Sequence, residues 1–259
     1  MRNLTIFSFI LIILNSCGNL SNNKLVDLEE NAPLPGFNIE ESDAEAVMLA
    51  DKVMAAMGGR KAWDDTKIIC WTFFEKRRLV WNKHTGDVRI TDLKSDQVTI
   101  VNIHSLEGKV FKNGKELTQP DSLARYLKKG KSIWINDSYW LVMPFKLKDT
   151  GVTLHYIGED TLDNGQDAFT FQMTFKNVGN TPDNVYNIWV DAKTKLIGKW
   201  AFFRSFEDTE PSFTTPWLEY ERYEDILLSS SRGKGNMSNI KVLDSAPNGT
   251  FSSLEKIDI

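Results

Sequence analysis

The feature of this sequence that most constrains its fold is a strict alternation of side chains in one short segment. From residue 168 to residue 175, large apolar side chains occupy every second position: Phe169, Phe171, Met173 and Phe175. Threonine and glutamine fill the positions between them. Successive side chains of a β-strand point to opposite faces, so this segment predicts a strand with one buried face and one semi-polar face.

Similar short segments follow one another along most of the chain. The sequence predicts strands at residues 67–74, 78–82, 88–93, 98–103, 109–112, 152–157, 168–175, 186–190, 196–203, 217–220 and 226–228. Turn sequences such as Asn113-Gly114 separate them. Short sequential strands joined by tight turns predict a mainly antiparallel sheet.

One helix is expected before the first strand. Residues 42–57 carry apolar side chains at helical spacing. Ser42 and Glu45 have the spacing of a capping box, in which the two side chains satisfy backbone N–H groups at the start of a helix. Gly58 follows at the position where glycine commonly ends a helix.

A helical insert is expected in the middle of the strands. Residues 120–129 predict a helix that ends at Gly130. A second, short helix is expected to begin near Asp137, because aspartate is favoured at the N-cap position, and Pro144 ends it. Together with the strands, these helices predict an α+β fold.

The first residues have the layout of an export signal. Arg2 is followed by an apolar run over residues 4–14 and then by Cys17. The run is shorter than the roughly 20 residues that span a bilayer. We expect residues 1–16 to be a bacterial lipoprotein signal peptide and Cys17 to be lipidated, with the protein in the cell envelope. Gly18 favours the outer membrane over the inner. An ordinary secretory signal with an incidental Cys17 is the alternative.

Three further segments follow from composition. Residues 17–41 are polar and contain two prolines, which predicts a flexible tether behind the lipidated cysteine. Residues 42–233 hold the predicted helices and strands and form the expected domain. Residues 234–259 are rich in serine, glycine and asparagine and are expected to form a loose tail. We expect the protein to be a monomer.

Charge and aromatic content narrow the possible functions. The net charge is −4 and the basic residues are not clustered, which argues against nucleic-acid binding. The 15 Phe, 8 Trp and 6 Tyr provide large apolar surfaces that suit both cores and ligand pockets. If Cys17 is acylated, Cys70 has no partner for a disulfide, and its apolar neighbours predict that it is buried.

The sequence contains little that predicts catalysis. His84, His104 and His155 lie in different predicted hairpins, without metal-ligand spacing, so we expect no metal and no cofactor. No nucleophile, phosphate-binding or dinucleotide motif is present. Asp137 is the one acid in an apolar segment, where a raised pKa is plausible, but a capping role is the stronger interpretation.

Three segments carry a resemblance to a known family. They are residues 57–63 (MGGRKAW), residues 79–86 (LVWNKHTG) and, above all, residues 134–147 (WINDSYWLVMPFKL). With the export signal and the order of elements, the chain resembles uncharacterised lipoproteins of Bacteroidota within the LolA/LolB-type lipoprotein-carrier superfamily. The resemblance extends over about residues 44–233.

That resemblance implies a strongly curved, half-open β-barrel with helices capping its concave face. In the carrier proteins the concave cavity holds acyl chains. The first hypothesis is therefore a non-catalytic envelope lipoprotein that binds an acyl chain, a lipid or another lipoprotein. Candidate lining residues are Trp71, Trp81, Trp134, Trp140, Met143, Phe171, Met173, Phe175, Trp189 and Trp200. For each of them, packing in an ordinary core is the alternative.

Two other classes of function remain open at this stage. One is an envelope hydrolase acting on glycans or lipids, with Asp137, Tyr139 and His155 as the polar residues to test first. The other is a glycan-binding surface lipoprotein, which predicts several Trp side chains in one exposed plane. The catalytic reading requires the polar side chains to converge in a cleft.

Overall fold

A computed structural model of the chain describes residues 31–176, 178–179 and 181–257. The predicted signal peptide, the predicted lipidation site Cys17 and residues 18–30 of the predicted tether lie outside these residues. The described chain forms fourteen strands and three α-helices.

The strands, in chain order, are β1 (Ile68–Phe73), β2 (Arg77–Asn82), β3 (Asp87–Asp92), β4 (Val98–Asn102), β5 (Gly108–Lys112), β6 (Lys115–Glu116), β7 (Val152–Thr161), β8 (Asp167–Phe175), β9 (Val185–Asp191), β10 (Ile197–Phe203), β11 (Phe213–Pro216), β12 (Leu218–Tyr223), β13 (Ile226–Ser231) and β14 (Met237–Leu243). All their pairings are antiparallel.

The strands are arranged in two large sheets and one hairpin. The first sheet has the order β14-β1-β2-β3-β4-β5-β6, the second has the order β11-β10-β9-β8-β7, and β12 pairs with β13. The sheets do not close into a barrel, and helices pack on their concave side. The predicted α+β fold, mainly antiparallel and half-open, is confirmed.

The helices are α1 (Ala44–Ala56), α2 (Arg60–Asp65) and α3 (Pro120–Val142), and a 3₁₀ turn (Met143–Phe145) follows α3. The prediction of two short helices in the insert is wrong. A single helix of 23 residues, α3, contains Gly130 in its interior. A side-chain carbon at Gly130 would lie 2.9 Å from the Cγ2 atom of Thr99. The glycine therefore allows α3 to approach β4 closely instead of ending the helix.

The start of α1 also differs from the predicted capping box. Asp43 is the N-cap residue, and its side chain makes no hydrogen bond to the helix. Instead, the backbone N–H of Tyr156 donates to Asp43 Oδ2 at 2.8 Å, and the N–H of Leu154 donates to Ser42 Oγ at 3.0 Å. Because β7 is an edge strand, these two side chains satisfy donors that the sheet leaves unpaired.

Both ends of the described chain are more ordered than predicted. Asn31 donates a hydrogen bond to buried Asp51, and Phe37 belongs to the core, so residues 31–41 are not a free tether. Residues 237–243 form β14, which pairs with β1. Beyond it, the buried Arg89 side chain donates to the carbonyl oxygens of Thr250, Ser253 and Glu255. This finding corrects the predicted loose tail, because the C-terminal segment is held against the outer face of the first sheet.

Candidate functional site

A pocket of about 400 Å³ opens between the second half of α3 and the concave face of the second sheet. We call it the aromatic pocket. Its lining residues are Ser132, Ile135, Asn136, Tyr139, Trp140, Phe175, Val178, Gly179, Thr181, Asn184, Tyr186, Trp200, Phe202 and Phe213. Half of them are aromatic, and four belong to the loop between β8 and β9.

Helical spacing brings one face of α3 to this pocket. Four pocket residues follow one another along α3 in steps of three, one and three positions: Ser132, Ile135, Asn136 and Tyr139. This spacing places them on one side of the helix. The buried residues Leu127, Gly130 and Asp137 lie on the side that faces the first sheet. The helix therefore separates the packed core under the first sheet from the open space under the second.

The register of the second sheet aligns the rings that form the opposite wall. Tyr186 on β9 pairs with Met173 on one side and with Phe202 on the other, and Phe202 pairs with Phe213. Directly paired residues share a face of the sheet. The four side chains thus form one row across β8, β9, β10 and β11, and Trp200 lies in the next row.

The rings contact one another closely. The centroids of Tyr186 and Trp200 are 4.8 Å apart with an interplanar angle of 6°. Trp140 meets Trp200 edge to face at 5.0 Å, and Phe202 stacks on Phe213 at 5.1 Å. Such offset and perpendicular pairs are favourable arrangements of aromatic rings. They form an aromatic wall, while Ser132, Asn136, Thr181 and Asn184 add polar surface to the lining.

The two phenols of the pocket are held in their neutral form. Burial raises the pKa of Tyr139 well above its ordinary value, and its hydroxyl contacts the sulfur of Met173 at 3.6 Å. Burial also raises the pKa of Tyr186 to about 12, against a hydrogen bond with Asn184 that lowers it. Both groups remain protonated at neutral pH, so the pocket interior carries no charge from them.

The structure separates the predicted lining residues into three groups. Trp140, Phe175 and Trp200 line the aromatic pocket. The second group packs in the core: Trp71, Trp81, Trp134, Met143, Phe171 and Met173. Trp189 pairs with Thr170 on the outer face, where its Nε1 donates to Asp160 at 2.7 Å. The prediction that Trp189 points to the concave side is therefore wrong.

The polar candidates Asp137, Tyr139 and His155 do not converge. Asp137 lies in the middle of α3 rather than at an N-cap, and its carboxylate accepts hydrogen bonds from Arg77 Nε at 2.7 Å and Nη2 at 2.9 Å. Burial raises the pKa of Asp137, while the hydrogen bonds from Arg77 and Asn136 lower it. His155 pairs with Gln172 on the outer face of the second sheet. Only Tyr139 belongs to the pocket.

Three aromatic residues of the pocket are not among those predicted from the sequence: Tyr186, Phe202 and Phe213. A signal for two of them was present, because Tyr186 and Phe202 are two positions from Ile188 and Trp200 on their strands. Phe213 follows a loop and has no such pattern. It is 37% exposed at the edge of the pocket, which identifies it only once the structure is known.

No group of three or more His, Cys, Asp or Glu side chains is placed to hold a metal ion within residues 31–176, 178–179 and 181–257.

In the same part of the chain, no helix combines the length and the apolar character needed to cross a membrane.

No protein-family model matches the chain, and no curated protein matches it. Solved structures give distant similarities. One is a domain named for outer membrane lipoprotein sorting from Vibrio parahaemolyticus, with TM-score 0.43 and 10% identity over 80% of this chain and 96% of that chain. A DUF1329 family protein from Desulfovibrio piger has TM-score 0.44 and 14% identity over 80% and 96%. A LolA superfamily protein from Nitrosomonas europaea has TM-score 0.38 and 9% identity over 79% and 97%.

Proposed function

We propose that this protein is a lipoprotein of the bacterial envelope that binds an apolar ligand in the aromatic pocket without transforming it. The ligand would be an acyl chain, a lipid or the lipid part of another lipoprotein. The observation that carries the proposal is the pocket itself: an open space bounded by seven aromatic side chains and by neutral polar groups.

The size of the pocket suits one chain rather than several. Ligand pockets commonly have volumes of about 300–1,000 Å³, and this one has about 400 Å³. A water-sized group occupies about 30 Å³ in a liquid, so the space holds roughly a dozen groups of methylene size. A longer chain would extend past Phe213 towards solvent, where that side chain is partly exposed.

The chemistry of the walls favours an apolar occupant over a reacting substrate. Hydrolysis at an active site uses polar side chains that converge on the same reacting atoms. Asp137 is engaged by Arg77, and His155 lies on the opposite face of the second sheet from the pocket. The tyrosines are neutral at neutral pH. These positions supply no pair for hydrolysis.

The tryptophans also argue against glycan binding on an exposed aromatic plane. All eight Trp residues lie in the described chain, and each one is buried or half-buried. Stacking on a sugar face requires at least one broad ring surface open to solvent. Trp134 and Trp140 of α3 instead pack against the rings of Trp81 and Trp200.

The anchoring part of the proposal rests on the sequence of residues 1–17. Lipidation of Cys17 would hold the protein on a membrane surface, with the outer membrane favoured, and stable anchoring of this kind requires more than one acyl chain. The described chain begins at Asn31, whose side chain donates a hydrogen bond to Asp51. The stretch between Cys17 and Asn31 would then separate the domain from the lipid surface.

The test is a direct binding measurement on the full chain carrying Cys17→Ser, which removes the acceptor for an acyl group of its own. Palmitate is titrated by displacement of a fluorescent fatty acid. Ile135→Trp places a ring in the pocket from α3 and is expected to weaken binding by at least about tenfold. Lys129→Trp, on an exposed position of the same helix, serves as the control.

Two results would contradict the proposal. One is the absence of binding of palmitate, palmityl alcohol and phospholipid to the unmodified pocket. The other is equal binding by the Ile135→Trp and Lys129→Trp variants, because a ligand in the aromatic pocket must compete with the new ring.

A further inference from the structure

A second depression lies on the other side of two rings of the aromatic pocket. It has a volume of about 910 Å³, and both Trp140 and Phe213 line it as well as the aromatic pocket. The two rings are stacked, with centroids 5.6 Å apart and an interplanar angle of 17°. Arg232 also lines this depression, which we call the arginine groove.

Arg232 is a buried cation held only by neutral groups. Its side chain is 3% exposed. Nη1 donates to Ser229 Oγ and to the carbonyl oxygen of Ser231, both at 2.8 Å, and Nη2 donates to the carbonyl oxygen of Trp140 at 2.5 Å. Nε has no hydrogen-bond partner within residues 31–176, 178–179 and 181–257. No ion pair found in the described part of the chain includes Arg232.

Such a charge is costly to bury unless an anion neutralises it. The ring of Trp217, 3.5 Å from Cζ, and the carbonyl oxygens offset only part of this cost. Burial lowers the pKa of Arg232 to about 9, so the guanidinium remains charged at neutral pH. The fold therefore maintains an unneutralised positive charge beside the groove.

The other charged groups of the groove have the same overall sign. Lys76 and Lys234 line it together with Arg232, and Glu75 is the only acid among its lining residues. Three cations against one carboxylate leave a net charge of +2 on the lining. This contrasts with the net charge of −4 for the whole chain. A groove of this kind attracts anions more strongly than the rest of the surface does.

We propose that Arg232 binds the anionic headgroup of an amphiphile whose acyl chain occupies the aromatic pocket. The headgroup would be a carboxylate or a phosphate monoester, since a guanidinium bonds to both in the same geometry. The chain would pass over Trp140 and Phe213, which border both spaces. This inference rests on the proposed function and specifies the class of ligand.

The headgroup is tested first with the pocket and groove unchanged, in the full chain carrying Cys17→Ser. Four ligands with the same chain are compared below their aggregation concentrations: palmitate, palmityl phosphate, palmityl alcohol and palmitylamine. A charge-assisted hydrogen bond is expected to favour the anions over the alcohol by at least about tenfold. The amine is expected to bind more weakly than the alcohol, and the two anions separate a carboxylate preference from a phosphate preference.

A variant then assigns the effect to Arg232. Arg232→Gln removes the charge and keeps a polar side chain, and is expected to abolish the preference for anions, measured as the ratio of the palmitate affinity to the palmityl alcohol affinity. Arg232→Lys is expected to retain most of the preference for anions, because the positive charge is kept. Arg222→Gln is the matched control, because Arg222 lies exposed on the same hairpin. If Arg232 only held α3 in place, its loss would affect all four ligands alike. A loss confined to the anionic ligands therefore indicates that Arg232 binds the headgroup.

The outcomes separate the two proposals. If the four ligands bind equally well to the unchanged pocket and groove, the headgroup site is refuted while apolar binding stands. If none of them binds, the proposed function is refuted and this inference with it. A preference for anions that survives in Arg232→Gln also refutes the assignment. Should that variant not fold, the comparison of the four ligands alone decides whether an anion site exists, and Arg232→Lys tests its position.

Discussion

The rings of Tyr186 and Trp200 stack face to face on neighbouring strands, with centroids 4.8 Å apart and planes 6° from parallel. Trp200 is fully buried, whereas Tyr186 is half-buried, so the pair reaches from the core into the aromatic pocket. Trp140 from α3 meets the same Trp200 ring edge to face at 5.0 Å. A ligand in the pocket would therefore contact tryptophans from both the helix and the sheet.

The first prediction uses those contacts. Palmitate carrying bromine atoms along its chain should quench the intrinsic fluorescence on binding, because bromine quenches tryptophan at contact distance. Trp140→Phe is expected to lose much of the quenching. Trp189→Phe is expected to keep it, since Trp189 lies on the outer face and bonds to Asp160. Equal loss in the two variants would place the ligand elsewhere.

A second prediction concerns the ion pair inside the protein. Asp137 is fully buried and paired with Arg77, whose side chain is 23% exposed. Removing one member of a buried pair costs about 3–5 kcal/mol, because the other charge is left without a partner. Asp137→Ala should lower the free energy of unfolding by about this amount, measured in urea.

Two comparisons sharpen that measurement. The double variant Asp137→Leu with Arg77→Met should lose much less stability, since neither charge is then buried alone. Asp64→Ala breaks the pair with Arg60, in which the aspartate side chain is 51% exposed, and should cost about 0–1 kcal/mol. A cost for Asp137→Ala no larger than that of Asp64→Ala would contradict the role of the buried pair.

A third prediction concerns the contact between α3 and β4. Gly130 leaves no room for a side chain, since a Cβ atom would lie 2.9 Å from Thr99 and 3.3 Å from Val101. Overfilling a packed interface typically costs about 1–3 kcal/mol, and Gly130→Val should show a loss of that size in thermal or urea unfolding. Lys128→Val on the exposed side should stay within about 0.5 kcal/mol of the original protein. Unchanged stability in Gly130→Val would mean that α3 can move away from β4.

The fourth prediction concerns Cys70. Burial raises the pKa of its thiol from 9.0 to about 11. Between these values the unfolded chain loses the proton before the folded protein does, so this group lowers stability as pH rises. Unfolding free energies across this range should fall more steeply in the original protein than in Cys70→Ala, because buried tyrosines are common to both. At neutral pH the thiol should react with iodoacetamide only after denaturation. Parallel pH curves for the two proteins would contradict the shift.

Local sequence pattern predicted the strands well and the insert poorly. The alternation around Phe171 and the turn at Asn113-Gly114 depend on neighbouring residues, and both were found correctly. Gly130 was interpreted as a helix end because glycine usually serves that purpose. Its actual role depends on Thr99, a residue of another strand, and no local rule contains that contact.

The polar residues show the same difference between features set by sequence neighbours and features set by distant contacts. Asp137 was predicted as an N-cap because aspartate is favoured there. Its actual partner, Arg77, is 60 positions away in sequence, so a local pattern does not reveal the pair. Arg232 was not noticed because it lies next to a segment rich in serine and glycine, which suggested a loose chain. Its burial results from Trp217 and the end of α3 closing over it. Long-range packing of this kind determines which polar residues are buried, and a single sequence does not display it.

The pairing of β1 with β14 has a consequence for the order of folding. Ile68 pairs with Leu243, so the first strand of the large sheet lies beside its last strand. As the chain folds, β2 can join β1 through a short turn, but the opposite edge of β1 stays open until residues 237–243 reach it. Contacts between such distant residues form slowly, and an unpaired edge can pair with another chain. Completion of the sheet, and of the cover over Cys70, therefore depends on the arrival of a strand that lies far away in the sequence.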